Sequence, residues 1–156
     1  MNNFVIPNEG HVVNLIAPVD INGGAVTGDI FSMENYSHVD IIIQLGVTGA
    51  ASTVTVKECD DFSPSNSTAI AFKYAAEATA GGDTLGSLTA CASTGFATGT
   101  ANGIFYVISI DAAELSAGYP CIQLNMSDPS ASTFVSAVAV LSGARYAEDA
   151  SATVIA

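Results

Sequence analysis

Carboxylates are the first side chains in this sequence whose spacing could support chemistry. Glu58, Asp60 and Asp61 cluster at the end of a predicted strand. Together with Glu34 or Asp40 they would supply the hard oxygen ligands that a divalent cation prefers. The cluster lacks the loop spacing of an EF-hand or of another fixed cation-binding pattern, which favours a solvated acidic turn. We name Glu58, Asp60 and Asp61 as candidate metal ligands and expect no bound cofactor.

Histidine, serine and lysine are the other residue types that could carry catalysis. His11 and His38 are the only imidazoles, and a metal site or acid–base pair would need a third partner that the spacing does not reveal. Lys57 and Lys73 have no Ser-x-x-Lys partner, no Gly-x-Ser-x-Gly elbow occurs, and the glycine-rich stretch 23–28 lacks the lysine of a phosphate-binding loop. We therefore expect both histidines to be partly buried strand or turn residues, and we predict no catalytic residues and no enzymatic activity.

The three cysteines, Cys59, Cys91 and Cys121, are odd in number and widely spaced. This pattern argues against a disulfide framework and favours a reducing compartment, where each thiol behaves as a small apolar residue. If two of them are bridged, the best pair is Cys59 with Cys121, because both are expected at strand ends.

Charge excludes two classes of partner. The chain has 156 residues, with 15 acidic and 3 basic side chains and a net charge of −12. Three scattered bases cannot neutralise a phosphate backbone, so we expect no nucleic-acid binding. The same sign repels anionic lipid, no apolar run reaches the ~18 residues of a membrane span, and the amino-terminal residues lack the pattern of a secretion signal. We expect a protein without a membrane partner.

The elements that must position these residues are strands, because the dominant hydrophobic period is two. Thr53–Glu58 alternates polar and apolar residues, and it follows His38–Leu45 after a turn at 46–51, so the two are predicted to form a hairpin. Five further strands are predicted at Val12–Ile16, Ala69–Tyr74, Ile104–Ile110, Tyr119–Met126 and Thr133–Leu141. Many short strands without long helices predict an all-β fold, an antiparallel two-sheet β-sandwich or a jelly roll.

Three segments depart from the strand pattern. The stretch 75–102 has loop composition and is predicted to be one long loop with a binding role or a neighbouring support. Asp111–Leu115 is predicted to be a single helical turn capped by Asp111. We divide the chain into an extended N-terminal arm at 1–10, a sandwich domain at 11–145 and a C-terminal arm at 146–156.

Several stretches resemble small structural proteins of tailed-bacteriophage virions. They are Asn3–Gly10, His38–Gly46, Glu58–Asp61, Ile110–Tyr119 and Val140–Tyr146. The resemblance covers nearly the whole chain and implies a β-rich subunit present in many copies. It most closely implies a head decoration or cement protein that binds the major capsid protein lattice on the virion surface, often as a homotrimer, after assembly in the bacterial cytoplasm.

Two alternatives to capsid decoration stay open. One is another virion component, such as a tail, neck or connector subunit. The other is a carbohydrate- or receptor-binding sandwich, which would need exposed aromatic rings. We expect Phe105, Tyr106 and Phe134 to face the core instead.

A cement subunit would reach across capsid seams with its arms. The candidate interface residues are therefore the larger side chains of the two arms: Phe4, Val5, Ile6, Pro7, Tyr146, Val154 and Ile155.

Overall fold

Two antiparallel sheets pack against each other in the structure, a computed structural model that describes residues 5–145. The first sheet has the spatial order β1 (His11–Asp20), β12 (Thr133–Ala144), β4 (Tyr36–Thr48), β10 (Phe105–Asp111), β7 (Phe72–Ala76) and β8 (Thr89–Cys91). The second sheet has the order β2 (Val26–Thr27), β11 (Cys121–Met126), β5 (Thr53–Cys59) and β6 (Ser67–Ala69), with β3 (Phe31–Ser32) paired to β11 and β9 (Phe96–Ala97) paired to β5. The predicted all-β sandwich is confirmed.

The core forms because alternate residues of the long strands point between the sheets. Along β4 the inward side chains Val39, Ile41, Ile43 and Leu45 are almost fully buried. Inward residues of β11 and β5 meet them from the second sheet. Full burial of one such aliphatic side chain contributes roughly 1.5–3 kcal/mol, so the period-two pattern accounts for the stability of the sandwich.

The predicted hairpin between His38–Leu45 and Thr53–Glu58 is wrong. Each segment is a strand, but β4 pairs with β12 and β10 in the first sheet, whereas β5 pairs with β11 in the second. The chain crosses from one sheet to the other at Gly49–Ser52. There the Gly49 N–H donates to Ser132 O at 2.8 Å and the Ser52 N–H donates to the Thr98 hydroxyl at 2.9 Å. These two hydrogen bonds, to Ser132 and Thr98, hold the crossing segment between the sheets, so it does not form the turn of a hairpin.

The predicted long loop at 75–102 is also wrong, because two short strands divide it. After β7, a bridge joins Glu77 to Leu85, β8 returns to pair with β7, and β9 then pairs with β5 in the other sheet. This segment thus connects the two sheets at one end of the sandwich. Strands of two or three residues carry too little periodicity to be detected in a glycine- and alanine-rich sequence.

Helical structure among residues 5–145 is confined to two short pieces. A 3₁₀ turn at Ala112–Glu114 follows β10, and the Glu114 carboxylate accepts a hydrogen bond from the Asp111 N–H at 3.0 Å. One helical turn, α1 (Ile6–Glu9), precedes β1, so this part of the N-terminal arm is not extended as expected. Pro7 fits there because the first helical residues need no N–H partner. Neither helix is long enough to cross a membrane.

Candidate functional site

The outer face of the first sheet carries a group of neighbouring apolar side chains. In the register of β1, β12, β4 and β10, Val12 lies opposite Val140, and Val138, Ile42 and Val107 lie side by side in the next row. Their neighbours along each strand point into the core, so these five side chains point outward. Val12 is 51% exposed and the other four are half-buried by one another. We call Val12, Ile42, Val107, Val138 and Val140 the apolar band.

Beyond the outward polar pair of Ser136 and Gln44, further apolar side chains lie at the end of the sheet where β4 leads to β5. Phe134 lies there with 47% of its surface exposed, and Val19 and Val47 are exposed nearby. A shallow hollow of about 150 Å³ lies between Phe134, Pro18 and the Gln44–Gly46 segment of β4. We expected Phe134 to face the core, and that prediction is wrong because its neighbours Thr133 and Val135 are the buried residues of β12, which leaves Phe134 on the outward side.

Two neighbouring aromatic residues divide between the faces of β10. Tyr106 is buried as expected, and its hydroxyl accepts a hydrogen bond from the Gly99 N–H at 2.7 Å. Phe105 is in register with Gln44 on the outward side and is half-buried, so the prediction that it faces the core is wrong. Consecutive residues of a regular strand face opposite sides of the sheet, so Phe105 and Tyr106 could not both face the core.

The outer face of the second sheet has a different chemistry. Its paired outward residues on the two central strands are Thr55 with Asn125 and Lys57 with Gln123. These side chains are polar, whereas the outward positions of the first sheet include the valines and the isoleucine of the apolar band. Bulk water solvates polar side chains at little cost, whereas an exposed cluster of apolar side chains rimmed by polar ones is typical of a surface that contacts another molecule.

A polar cluster centred on His38 borders the apolar band. The Nδ1 atom of His38 lies 2.7 Å from Asp111 Oδ1, and its Nε2 atom lies 3.2 Å from Asp40 Oδ1 and 3.3 Å from the Ser109 hydroxyl. The register of β4 and β10 creates the cluster, because His38 is opposite Asp111 and Asp40 is opposite Ser109. Asp40 is also opposite Val140 of the band, so the cluster and the band are continuous.

The cluster contains a serine, a histidine and an aspartate in contact, but its electrostatics oppose general-base catalysis. Partial burial lowers the pKa of His38, yet hydrogen bonds to Asp111 and Asp40 outweigh that effect and raise it above the ordinary value. The raised pKa favours the imidazolium form of His38, and a protonated ring has no lone pair with which to accept a proton from Ser109. These contacts link β4 to β10 and place the carboxylates of Asp40 and Asp111 at the edge of the apolar band.

The predicted acidic ligands do not converge on one point. Glu58 is buried and accepts a hydrogen bond from the Ser116 N–H at 2.8 Å, whereas Asp61 accepts one from the Ser63 N–H at 2.7 Å. Asp60 binds Asn66 through both backbone and side chain, and the side-chain hydrogen bond lowers the pKa of Asp60 below its ordinary value. Each carboxylate therefore holds its own turn or loop.

No group of three or more histidine, cysteine, aspartate or glutamate side chains within residues 5–145 is arranged to hold a metal ion. Glu34, one of the possible additional ligands, instead lines a separate hollow of about 370 Å³ with Met33, Leu115, Tyr119 and Arg145. Asp40, the other, belongs to the His38 cluster. The candidate acidic ligands therefore lie in separate local structures and do not form one site.

The cysteine pair is adjacent but unbridged. Cys59 is opposite Cys121 in the β5–β11 register, and both are buried free thiols beneath Ile30 and Phe62. The Ser127 N–H donates to Thr53 O, and because hydrogen-bonded and non-hydrogen-bonded pairs alternate, the cysteines form a hydrogen-bonded pair. Side chains in such pairs have Cβ atoms about 5.5 Å apart, against about 3.8 Å in a disulfide, so a bridge would require the strands to move.

We expect these thiols to be inert in the native chain. Burial raises the pKa of Cys121 to about 11 and also raises that of Cys59, which suppresses the reactive thiolate. Brief maleimide treatment followed by mass spectrometry should modify the partly exposed Cys91 first, and the other two only after unfolding. Recovery of a Cys59–Cys121 linked peptide after mild oxidation of native protein would contradict this prediction.

The predicted arm residues are only partly within the described chain. Val5, the residue before α1, is 43% exposed, Ile6 in α1 is 41% exposed, and Pro7 is exposed beside them. The remaining candidates lie outside the described residues: Phe4, Tyr146, Val154 and Ile155. Sequence reasoning missed the apolar band and the His38 cluster, although the outward positions of the predicted strands His38–Leu45 and Thr133–Leu141 already contain Ile42, Val138 and Val140.

Comparison of this chain with protein-family models, with curated proteins and with solved structures finds no match.

Proposed function

We propose that this chain is a non-enzymatic structural protein that docks on a protein lattice through the outer face of its first sheet. The apolar band carries this proposal. Its five side chains form an uncharged centre, and the carboxylates of Asp40 and Asp111 lie along one border. A partner surface with an apolar centre and basic side chains at its edge would complement both features.

The size of the face indicates how such docking would work. Four strands about 4.8 Å apart, over about eight residues each, present about 500 Å². A stable interface between two free proteins buries about 800 Å² on each partner, so a single copy would bind weakly. Binding by a symmetric oligomer, or by many copies on one lattice, would multiply the affinity without new contacts. The proposal therefore includes self-association, with a homotrimer as the expected form.

The lattice that fits best is the major capsid protein shell of a tailed bacteriophage. The resemblance of the sequence to small virion proteins supports this assignment, and so does the scarcity of lysine and arginine, which disfavours contact with the packaged genome. In this role the chain would sit on the virion surface as a head decoration or cement protein and would link capsid subunits against internal pressure.

Quantitative mass spectrometry of purified particles tests the assignment. We expect this chain in a fixed, high ratio to the major capsid protein, and we expect particles without it to lose their genome at lower temperature. Finding the chain at a few copies per particle, or only in isolated tails, would contradict decoration and favour a tail, neck or connector subunit.

A further inference from the structure

We propose that docking at the outer face of the first sheet displaces the proton of His38, because a basic side chain of the partner takes the place of the imidazolium between Asp40 and Asp111. This inference rests on the proposed function and concerns the same face. It names the chemistry of one contact, a lysine or arginine of the partner, and it makes docking dependent on pH.

The geometry of the cluster leaves its carboxylates accessible to a partner. The side chain of Asp111 is 62% exposed and that of Asp40 is 45% exposed, whereas the His38 ring between them is 30% exposed. Each aspartate contacts the ring through its Oδ1 atom. A cation arriving from the solvent side therefore meets two carboxylates that already share one positive charge.

The other groups around His38 do not supply a competing cation. Ser142 faces it from β12 and is uncharged, and Ser109 faces it from β10. Lys73 of β7 is opposite Ser109, but its Nζ atom lies 3.8 Å from Glu114 Oε1 in the following 3₁₀ turn. Within the described chain, the imidazolium is thus the one cation in contact with both Asp40 and Asp111.

The sign of the pH effect follows from proton linkage. In the free chain burial lowers the pKa of His38, but hydrogen bonds to Asp111 and Asp40 outweigh that effect, so the ring keeps its proton to a higher pH than an unperturbed histidine does. A partner cation beside the ring lowers that pKa, and docking then releases a proton. Affinity must rise with pH, by up to about tenfold per unit, between the His38 pKa values of the docked and free chains, and it must level off above the latter.

Retention on particles is the readout. Full-length chain is added to capsids that lack it, and the dissociation constant is measured by co-sedimentation from about pH 5.5 to 8.5, where histidine titrates. For the unmodified chain we expect a severalfold to tenfold tighter dissociation constant at the alkaline end. His38→Gln, which keeps hydrogen-bonding capacity without a titratable charge, should show a nearly flat profile. His11→Gln, the matched control in β1, should keep the pH dependence.

Each outcome decides the inference. A flat profile for the unmodified chain, or equal slopes for the unmodified and His38→Gln chains, would overturn the proton coupling while leaving docking intact. No binding at any pH would overturn the proposed function and this inference together. An NMR titration of the free chain must in addition show His38 titrating above pH 6.5, and a lower value would also overturn the coupling.

Discussion

Replacement of Gly95 with alanine is expected to destabilise the sandwich by about 3 kcal/mol or more, the largest loss predicted for any single substitution. Gly95 has a φ of +82°, where a side chain costs about 1–2 kcal/mol. Its added Cβ atom would also overlap the backbone carbonyl of Val54, which cannot move without disturbing β5. Overpacking of this kind typically adds about 1–3 kcal/mol.

The consequence is large because Gly95 positions the contact between the two sheets. The next residue, Phe96, pairs with Val54 in β5 and stacks on Tyr74 of the first sheet at a ring distance of 3.9 Å. Tyr106 and Phe72 contact the same ring. Displacement of Gly95 would therefore open the aromatic cluster that closes this end of the sandwich.

Urea denaturation measures the effect, with Gly103→Ala as the matched control. Gly103 has a similar φ of +72°, but an added Cβ atom would meet nothing within 4 Å. We expect a loss of about 1 kcal/mol there, from backbone strain alone. Equal destabilisation by the two substitutions would show that the close approach of Gly95 to Val54 contributes nothing.

Replacement of Val138 with lysine is expected to weaken docking on capsids by at least tenfold, the larger of the predicted effects on binding. Val138 belongs to the apolar band and lies between Ile42 and the polar Asn14 in register. A lysine there would bury a charge without a partner in the docked state, at a cost of several kcal/mol unless its stem reaches the edge. In the free chain the lysine stays solvated, so the fold should tolerate it.

Gln123→Lys is the matched control for that experiment. Gln123 lies on the central strand of the second sheet and faces outward, as Val138 does in the first. Both variants add one lysine at an outward strand position, but the new lysine of Gln123→Lys is opposite Lys57, so this control should melt at a slightly lower temperature and retention is compared well below both transitions. We expect co-sedimentation with capsids to fail for Val138→Lys alone. Equal retention of both variants, or loss of binding by Gln123→Lys alone, would exclude the proposed docking face.

The sequence predicted where the strands lie more accurately than it predicted which strands pair with one another. The alternation in His38–Leu45 and Thr53–Glu58 identified both strands correctly, because burial of one face imposes a period of two. It could not show that the intervening residues cross between sheets, since that depends on hydrogen bonds that Gly49 and Ser52 donate to residues distant in sequence. Short connections ordinarily join strands that pair with each other, and applying that rule here led to the incorrect prediction of a hairpin.

The candidate site was hidden for the same reason. His38 and Asp40 are close in sequence, but Ser109 and Asp111 are about 70 residues away and join them only through the β4–β10 register. A search for spacing along the chain finds local pairs and misses such clusters. The acidic residues at 58–61, which are close in sequence, serve separate loops. Proximity along the chain was therefore a poor guide to proximity in space.

A cryo-electron microscopy map of the native particle tests the central claim most directly. The proposal predicts this chain on the outside of the capsid in many symmetric copies, with Ile42, Val138 and Val140 against the shell and a basic side chain of the capsid protein between Asp40 and Asp111. Contact made through Thr55, Lys57 and Gln123 of the second sheet, or absence of the chain from the capsid surface, would contradict it.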